Sequence, residues 1–144
     1  MGKAKINAIR TVINGHEFDS QTEAEYYLEL LKREDIAEIE LQPQFVFMIP
    51  FQVKCSRCVK GRVPSPRTGN MVNCKTCKGT GKRNRQGWSY RADFRVHYKN
   101  GKVEVIDVKG FANESFRLVR KMFEYKQGIE LLVVKKIKGQ WKYV

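Results

Sequence analysis

The stretch VEVIDVKGF, residues 103–111, decides how this chain is read. Its valines and isoleucine are those of a buried strand. Asp107 and Lys109 nevertheless stand two residues apart near its C-terminal end. Successive side chains of a strand point to opposite faces, so positions i and i+2 share one. An acid and a base therefore lie together on a strand expected to belong to a core. As a plain ion pair on the strand face they would contribute little energy. As part of a reactive site they would need further acidic groups beside them.

The preceding stretch offers one. Residues 88–98, WSYRADFRVHY, read as a strand, KNG (99–101) as a turn, and 103–109 as the returning strand of a hairpin, with Gly110 ending it. Antiparallel pairing would set Asp93 beside Asp107. Two adjacent carboxylates repel, and both do not readily ionise without a cation. A hard ion such as Mg²⁺, held by one or two carboxylates plus water, is the usual remedy. Lys109 would then orient an attacking water or stabilise developing charge. The plainer alternative makes Asp93 a turn-facing surface residue.

A third acid comes from a helix. SQTEAEYYLELLKRED, residues 20–35, opens with Ser20 and Glu23 in the S-x-x-E spacing of a capping box. Tyr27, Leu30 and Leu31 form its apolar face, with Glu23 on the same side, and Glu25, Glu29 and Lys32 lie opposite. Glu23 is either the capping-box partner alone or a member of the acidic site.

The other elements follow from local signals. Residues 9–13 and 16–18 are short strands around the turn NG. Residues 45–53 are β-rich, with Pro50 marking an edge or bulge. NESFRLVRKMFEYKQG (113–128) reads as a helix with Asn113 as N-cap, Gly128 as stop and Phe116, Val119 and Phe123 on its core face. Residues 129–137 form a strand that 141–144 closes as a hairpin. The expected class is α/β or α+β around a mixed sheet.

The middle of the chain differs in kind. Residues 54–87 hold ten Lys or Arg and no Asp or Glu, so +10 of the net +13 sits in this stretch. Such density attracts polyanions, nucleic acid above all. The stretch also holds all four cysteines, as CSRC and CKTC, with fifteen residues between Cys58 and Cys74. Cys55, Cys58, Cys74 and Cys77 can supply four thiolates to a tetrahedral Zn²⁺. Such a site has no open position, so the zinc is structural. Disulfides do not suit a reducing compartment, and paired spacing has no use in free thiols. Residues 74–81, CKTCKGTG, resemble the CxxCxGxG repeat of the zinc region of J-domain chaperones, which implies a zinc turn and not chaperone activity. The organisation expected is a core of 1–53 and 88–144 with a basic zinc-binding insert at 54–87.

Asp93, thirteen residues, then Asp107-x-Lys109 resembles the PD-(D/E)XK nuclease signature, with Ala92 where the proline would stand. The blocks NGHEFDSQTEAEYY, LQPQF, YRADF and VIDVKG also resemble a small family of phage and prophage proteins assigned to that superfamily. The resemblance covers most of the chain outside the insert. It implies a restriction-endonuclease-like core. Asp93, Asp107 and the Val108 carbonyl would hold Mg²⁺ (or Mn²⁺), Lys109 would position the water, and Glu23, in preference to Glu25, would complete the metal's shell. Gln44 or Gln42 would support the site.

The expected activity is hydrolysis of DNA phosphodiesters, on a junction or other branched DNA or on a duplex. Symmetric cutting of a junction would require a homodimer. Phosphate contacts are expected from Arg57, Lys60, Arg62, Arg67, Lys75, Lys78, Lys82, Arg83 and Arg85. Trp88 would either extend this surface or belong to a core. The competing expectations are a non-catalytic nucleic-acid-binding module and a peptide-binding zinc adaptor. No apolar run reaches the roughly 18 residues of a membrane span, and MGKAKINAIR lacks a signal-peptide core. A cytoplasmic protein is expected, in the host cell's cytoplasm if phage-encoded.

Overall fold

The structure is a computed structural model that describes residues 11–109 and 114–144. In chain order the strands and helices are β1 (Thr11–Ile13), β2 (His16–Phe18), α1 (Gln21–Leu31), β3 (Ile36–Leu41), β4 (Gln44–Met48), β5 (Phe51–Lys54), β6 (Arg62–Pro64), β7 (Met71–Asn73), β8 (Lys82–Arg85), β9 (Trp88–Arg91), β10 (Phe94–Tyr98), β11 (Val103–Val108), α2 (Glu114–Gln127), β12 (Leu131–Ile137) and β13 (Gln140–Tyr143). The class is α+β around a mixed sheet. Two compact units partition the chain: residues 1–45 with 90–144, and residues 46–89. Their boundaries fall inside β4 and β9, which pair as a separate two-stranded ribbon.

The first unit is built on a five-stranded sheet of order β13-β12-β11-β10-β3. The β11–β12 pair is parallel because α2 carries the chain back between them, while the other pairs are antiparallel. Helix α1 packs on Phe94, Val96, Ile106, Val108 and Val134 through Ala24, Tyr26, Tyr27 and Leu30. Phe94 is fully buried, with the rings of Phe18, Tyr26 and Tyr27 within 6.4 Å of its own. Alternation along β11 sends Val105 and Asp107 to the face opposite Ile106 and Val108. Among the described residues no helix is long and apolar enough to cross a membrane.

Several boundaries depart from the sequence reading. Helix α1 ends at Leu31, with Lys32 as C-cap, and does not run to Asp35. Leu31 is 46% exposed, and Ala24 and Tyr26 take the core positions instead, with the Tyr26 ring tilted against Phe94 and edge-on to Trp141. Strand β3 has no counterpart in that reading. It is an edge strand whose glutamates alternate with apolar residues, IAEIEL, as edges require. The stretch 88–98 is two strands rather than one. The Ala92 amide donates to the Pro43 carbonyl (3.0 Å) and the Gln42 amide to the Asp93 carbonyl (2.9 Å), at the point where pairing passes from β9 with β4 to β10 with β3. Residues 45–53 likewise split at Ile49 and Pro50, since proline offers no ladder donor. Ile129 precedes β12 and is 42% exposed. The expected Asn113 cap, the Gly110 stop and the first part of the 9–13 strand lie outside the described residues.

The second unit contains two more ribbons, β5–β8 and β6–β7, each antiparallel. Its small core is sulfur: Cys55, Cys74 and Cys77 are buried, and Cys58 and Val63 pack against them.

Candidate functional site

The acidic cluster sits where β10 and β11 meet at one end. Their register pairs Phe94 with Ile106, so the next rung outward places Asp93 opposite Asp107. Asp107 is 3% exposed and is the buried charged residue among the described residues. Its Oδ2 accepts the Tyr90 hydroxyl at 2.7 Å and faces Lys109 Nζ at 3.2 Å. That ammonium also lies over the Phe116 ring, 4.5 Å from its centroid. Asp93 Oδ2 accepts the Val108 amide at 2.7 Å. Burial, and then the hydrogen bond and charge of Asp107, push the Asp93 carboxyl up to about 9.

Glu23 belongs to the same electrostatic neighbourhood. Burial is the main cause that raises its pKa, followed by the charge of Asp19 and, after the opposing Ser20 bond, that of Asp107. The Glu23 amide donates to Ser20 Oγ at 3.2 Å, which forms the cap on α1. Glu25 is occupied elsewhere, in an ion pair with Lys136 at 2.7 Å. Gln42, at φ +51, holds the Asp93 backbone by its amide, whereas Gln44 lies exposed on β4. Among the described residues the three carboxylates do not form a cluster within ligand distance of a single ion. Tyr90 is the member that sequence reasoning missed. Burial and the two aspartates raise its hydroxyl's pKa, so it stays a donor to Asp107.

The cysteines form the second centre. Their sulfur atoms lie within 4.8 Å of one another, with Cys55–Cys74 at 4.0 Å and Cys58–Cys77 at 3.7 Å. Zn–S bonds of about 2.3 Å in a tetrahedron put sulfurs about 3.8 Å apart, so the four can hold one metal ion and are consistent with structural zinc. The Gly81 amide donates to Cys77 Sγ at 3.2 Å. Burial raises the Cys77 thiol, but this amide, that of Gly79 and the neighbouring thiols outweigh it and bring it to about 6. The two knuckles abut at Gly61, where φ is +84° and a Cβ would strike the Gly79 carbonyl. Glycine is required there on both counts.

The cations expected to meet phosphate are spread over this unit. Arg62 is tied to Asn73 (2.8 Å) and the Met71 carbonyl (2.9 Å), and Arg83 is half-buried. Arg57, Lys60, Arg67, Lys75, Lys78, Lys82 and Arg85 are exposed. Trp88 is half-buried and meets Phe47 edge to face at 4.9 Å.

Comparison with protein families matches residues 3–143 to the family described as "Protein of unknown function (DUF1064)". The chain belongs to the DUF1064 family. No curated protein and no solved structure matches the chain.

Proposed function

We propose that this DUF1064 chain is a divalent-metal-dependent endodeoxyribonuclease with a PD-(D/E)XK-like core. The observation that carries the reading is the meeting of Asp93, Asp107 and Lys109 at one strand end, with Glu23 electrostatically coupled to them. Carboxylate oxygens are hard donors suited to Mg²⁺ or Mn²⁺. The crowding that keeps a proton on Asp93 is what a divalent cation would relieve. Asp93, Asp107 and the Val108 carbonyl would hold the ion, with Glu23 completing its shell. Bound there, it would offset charge developing on the phosphoryl oxygens.

The chain's own residues do the rest. Tyr90 and Lys109 both hold the Asp107 carboxylate at Oδ2. Lys109 presents its ammonium where the attacking water would be oriented. The four thiolates take Zn²⁺, which holds the fold of residues 46–89 and does no chemistry. The cations of that unit hold the DNA through its phosphates.

The test is cleavage of labelled four-way junction, fork, linear duplex and single-stranded DNA by zinc-loaded protein, with Mg²⁺, with Mn²⁺ and with neither. Cutting that requires the divalent ion supports the reading, and the preferred substrate names the DNA structure. A second reading, a nucleic-acid-binding module without catalysis, draws on the same site. Asp107 Oδ2 already has two protein partners, and the carboxylates are not drawn together within ligand distance of one ion. Salt-sensitive DNA binding with no cutting of any substrate would favour it.

A further inference from the structure

The β5–β8 ribbon carries a pair of amide side chains that phosphate binding does not use. Its register pairs Gln52 with Asn84 and Lys54 with Lys82. Positions two apart share a face, so these four side chains lie together, and all four are exposed. The opposite face carries Val53 and Arg83, both half-buried. Gln52 Nε2 donates to Asn84 Oδ1 at 2.9 Å. A carboxamide has two N–H donors and one carbonyl acceptor. The bond to Asn84 therefore leaves Gln52 with a free carbonyl oxygen and a second N–H.

An acceptor and a donor on one amide match the adenine edge, where N6–H₂ donates and N7 accepts in the major groove. A two-stranded antiparallel ribbon is one of the elements that the B-DNA major groove admits, at about 12 Å width. The surroundings suit the same partner. Gln52 and Asn84 line a concavity of about 450 Å³ with Lys78 and Lys82. Residues 46–89 contain ten basic side chains and no carboxylate, so nothing in this unit repels a phosphate backbone.

We propose that the β5–β8 ribbon reads duplex DNA through the major groove. Gln52 is the adenine-reading side chain, Asn84 is the residue that orients it, and Lys54 and Lys82 contact flanking phosphates. The inference rests on the reading of residues 46–89 as DNA-binding and does not depend on cleavage.

The experiment uses full-length, zinc-loaded protein without Mg²⁺. It binds a pool of duplexes with a randomised central segment, and the recovered duplexes are sequenced. The wild type is expected to enrich adenine at one position about ten-fold, the weight of a bidentate base contact. Gln52→Ala should erase the enrichment with zinc content unchanged. Lys54→Ala with Lys82→Ala should weaken every sequence alike and reduce the salt slope by about 2. The proposal is overturned by a wild type that enriches no base, by enrichment that survives Gln52→Ala, or by tighter binding of duplex RNA than of duplex DNA. Failure of the nuclease reading shows separately, as no cutting when Mg²⁺ is added.

Discussion

Residues 46–89 and the remainder of the chain reach order by different routes. The remainder holds eighteen basic and fifteen acidic side chains and buries a conventional apolar core around Phe94 and Ile106. The unit of residues 46–89 holds ten cations, no acid, and a core in which three of the buried members are cysteines. Like charges oppose compaction, and a few apolar side chains cannot offset the ordering entropy of some forty residues. One unit can place a buried aspartate at a strand end because apolar packing elsewhere carries its stability. The other has four cysteines placed to hold a metal ion, and such an ion would let it present a surface of one sign.

The largest test of this contrast is metal removal. Structural Zn²⁺ in small domains contributes an apparent free energy of about 10 kcal/mol or more. Chelation, or Cys74→Ser, should collapse the amide chemical-shift dispersion of residues 46–89 while the five-stranded sheet keeps its spectrum. Loss of both together would contradict two separately stabilised units. The converse change is Phe94→Ala, at a fully buried ring that meets three others. Denaturant unfolding should show a loss of about 3–5 kcal/mol for the sheet unit, with zinc content unchanged.

A titration sharpens the contrast further. The Asp93 carboxyl releases its proton near 3.8 in the unfolded chain and near 9 in the folded one. Between these values the folded state holds a proton that the unfolded state has lost, so stability falls as pH rises through the window. Thermal unfolding without divalent ions should follow that slope, Asp93→Asn should flatten it, and Mn²⁺ binding should release protons in the same range. The smallest effect is at the start of α1. Ser20→Ala removes the acceptor of the Glu23 amide and should cost about 1 kcal/mol by thermal unfolding.

Sequence showed the parts of the molecule whose spacing is itself the constraint. The four cysteines must lie at knuckle spacing to share an ion, and their sulfurs do converge. Asp107 and Lys109 share a face because strand period is two, and their side chains are 3.2 Å apart. What stayed hidden depends on contacts distant along the chain. IAEIEL carries the two-residue alternation of a strand, but the run is short and follows directly on a helix, and its place is fixed only by pairing with β10. Tyr90 reads as one more residue of a long strand, whereas β9 ends at Arg91 and β10 begins at Phe94, and the contact of Tyr90 with Asp107 spans that interruption. Leu31 and Tyr26 exchange places because α1 is shorter than its polar tail suggests and Trp141 receives the Tyr26 ring.

The proposed function divides the labour: the acidic strand end would cut the DNA that the basic unit would hold. Asp107→Asn keeps the side chain's shape and an acceptor for Tyr90, so binding and cutting can be read on one labelled duplex in Mg²⁺. That division predicts a Kd within about two-fold of the wild type and no detectable cleavage. Cleavage at the wild-type rate by Asp107→Asn would contradict it.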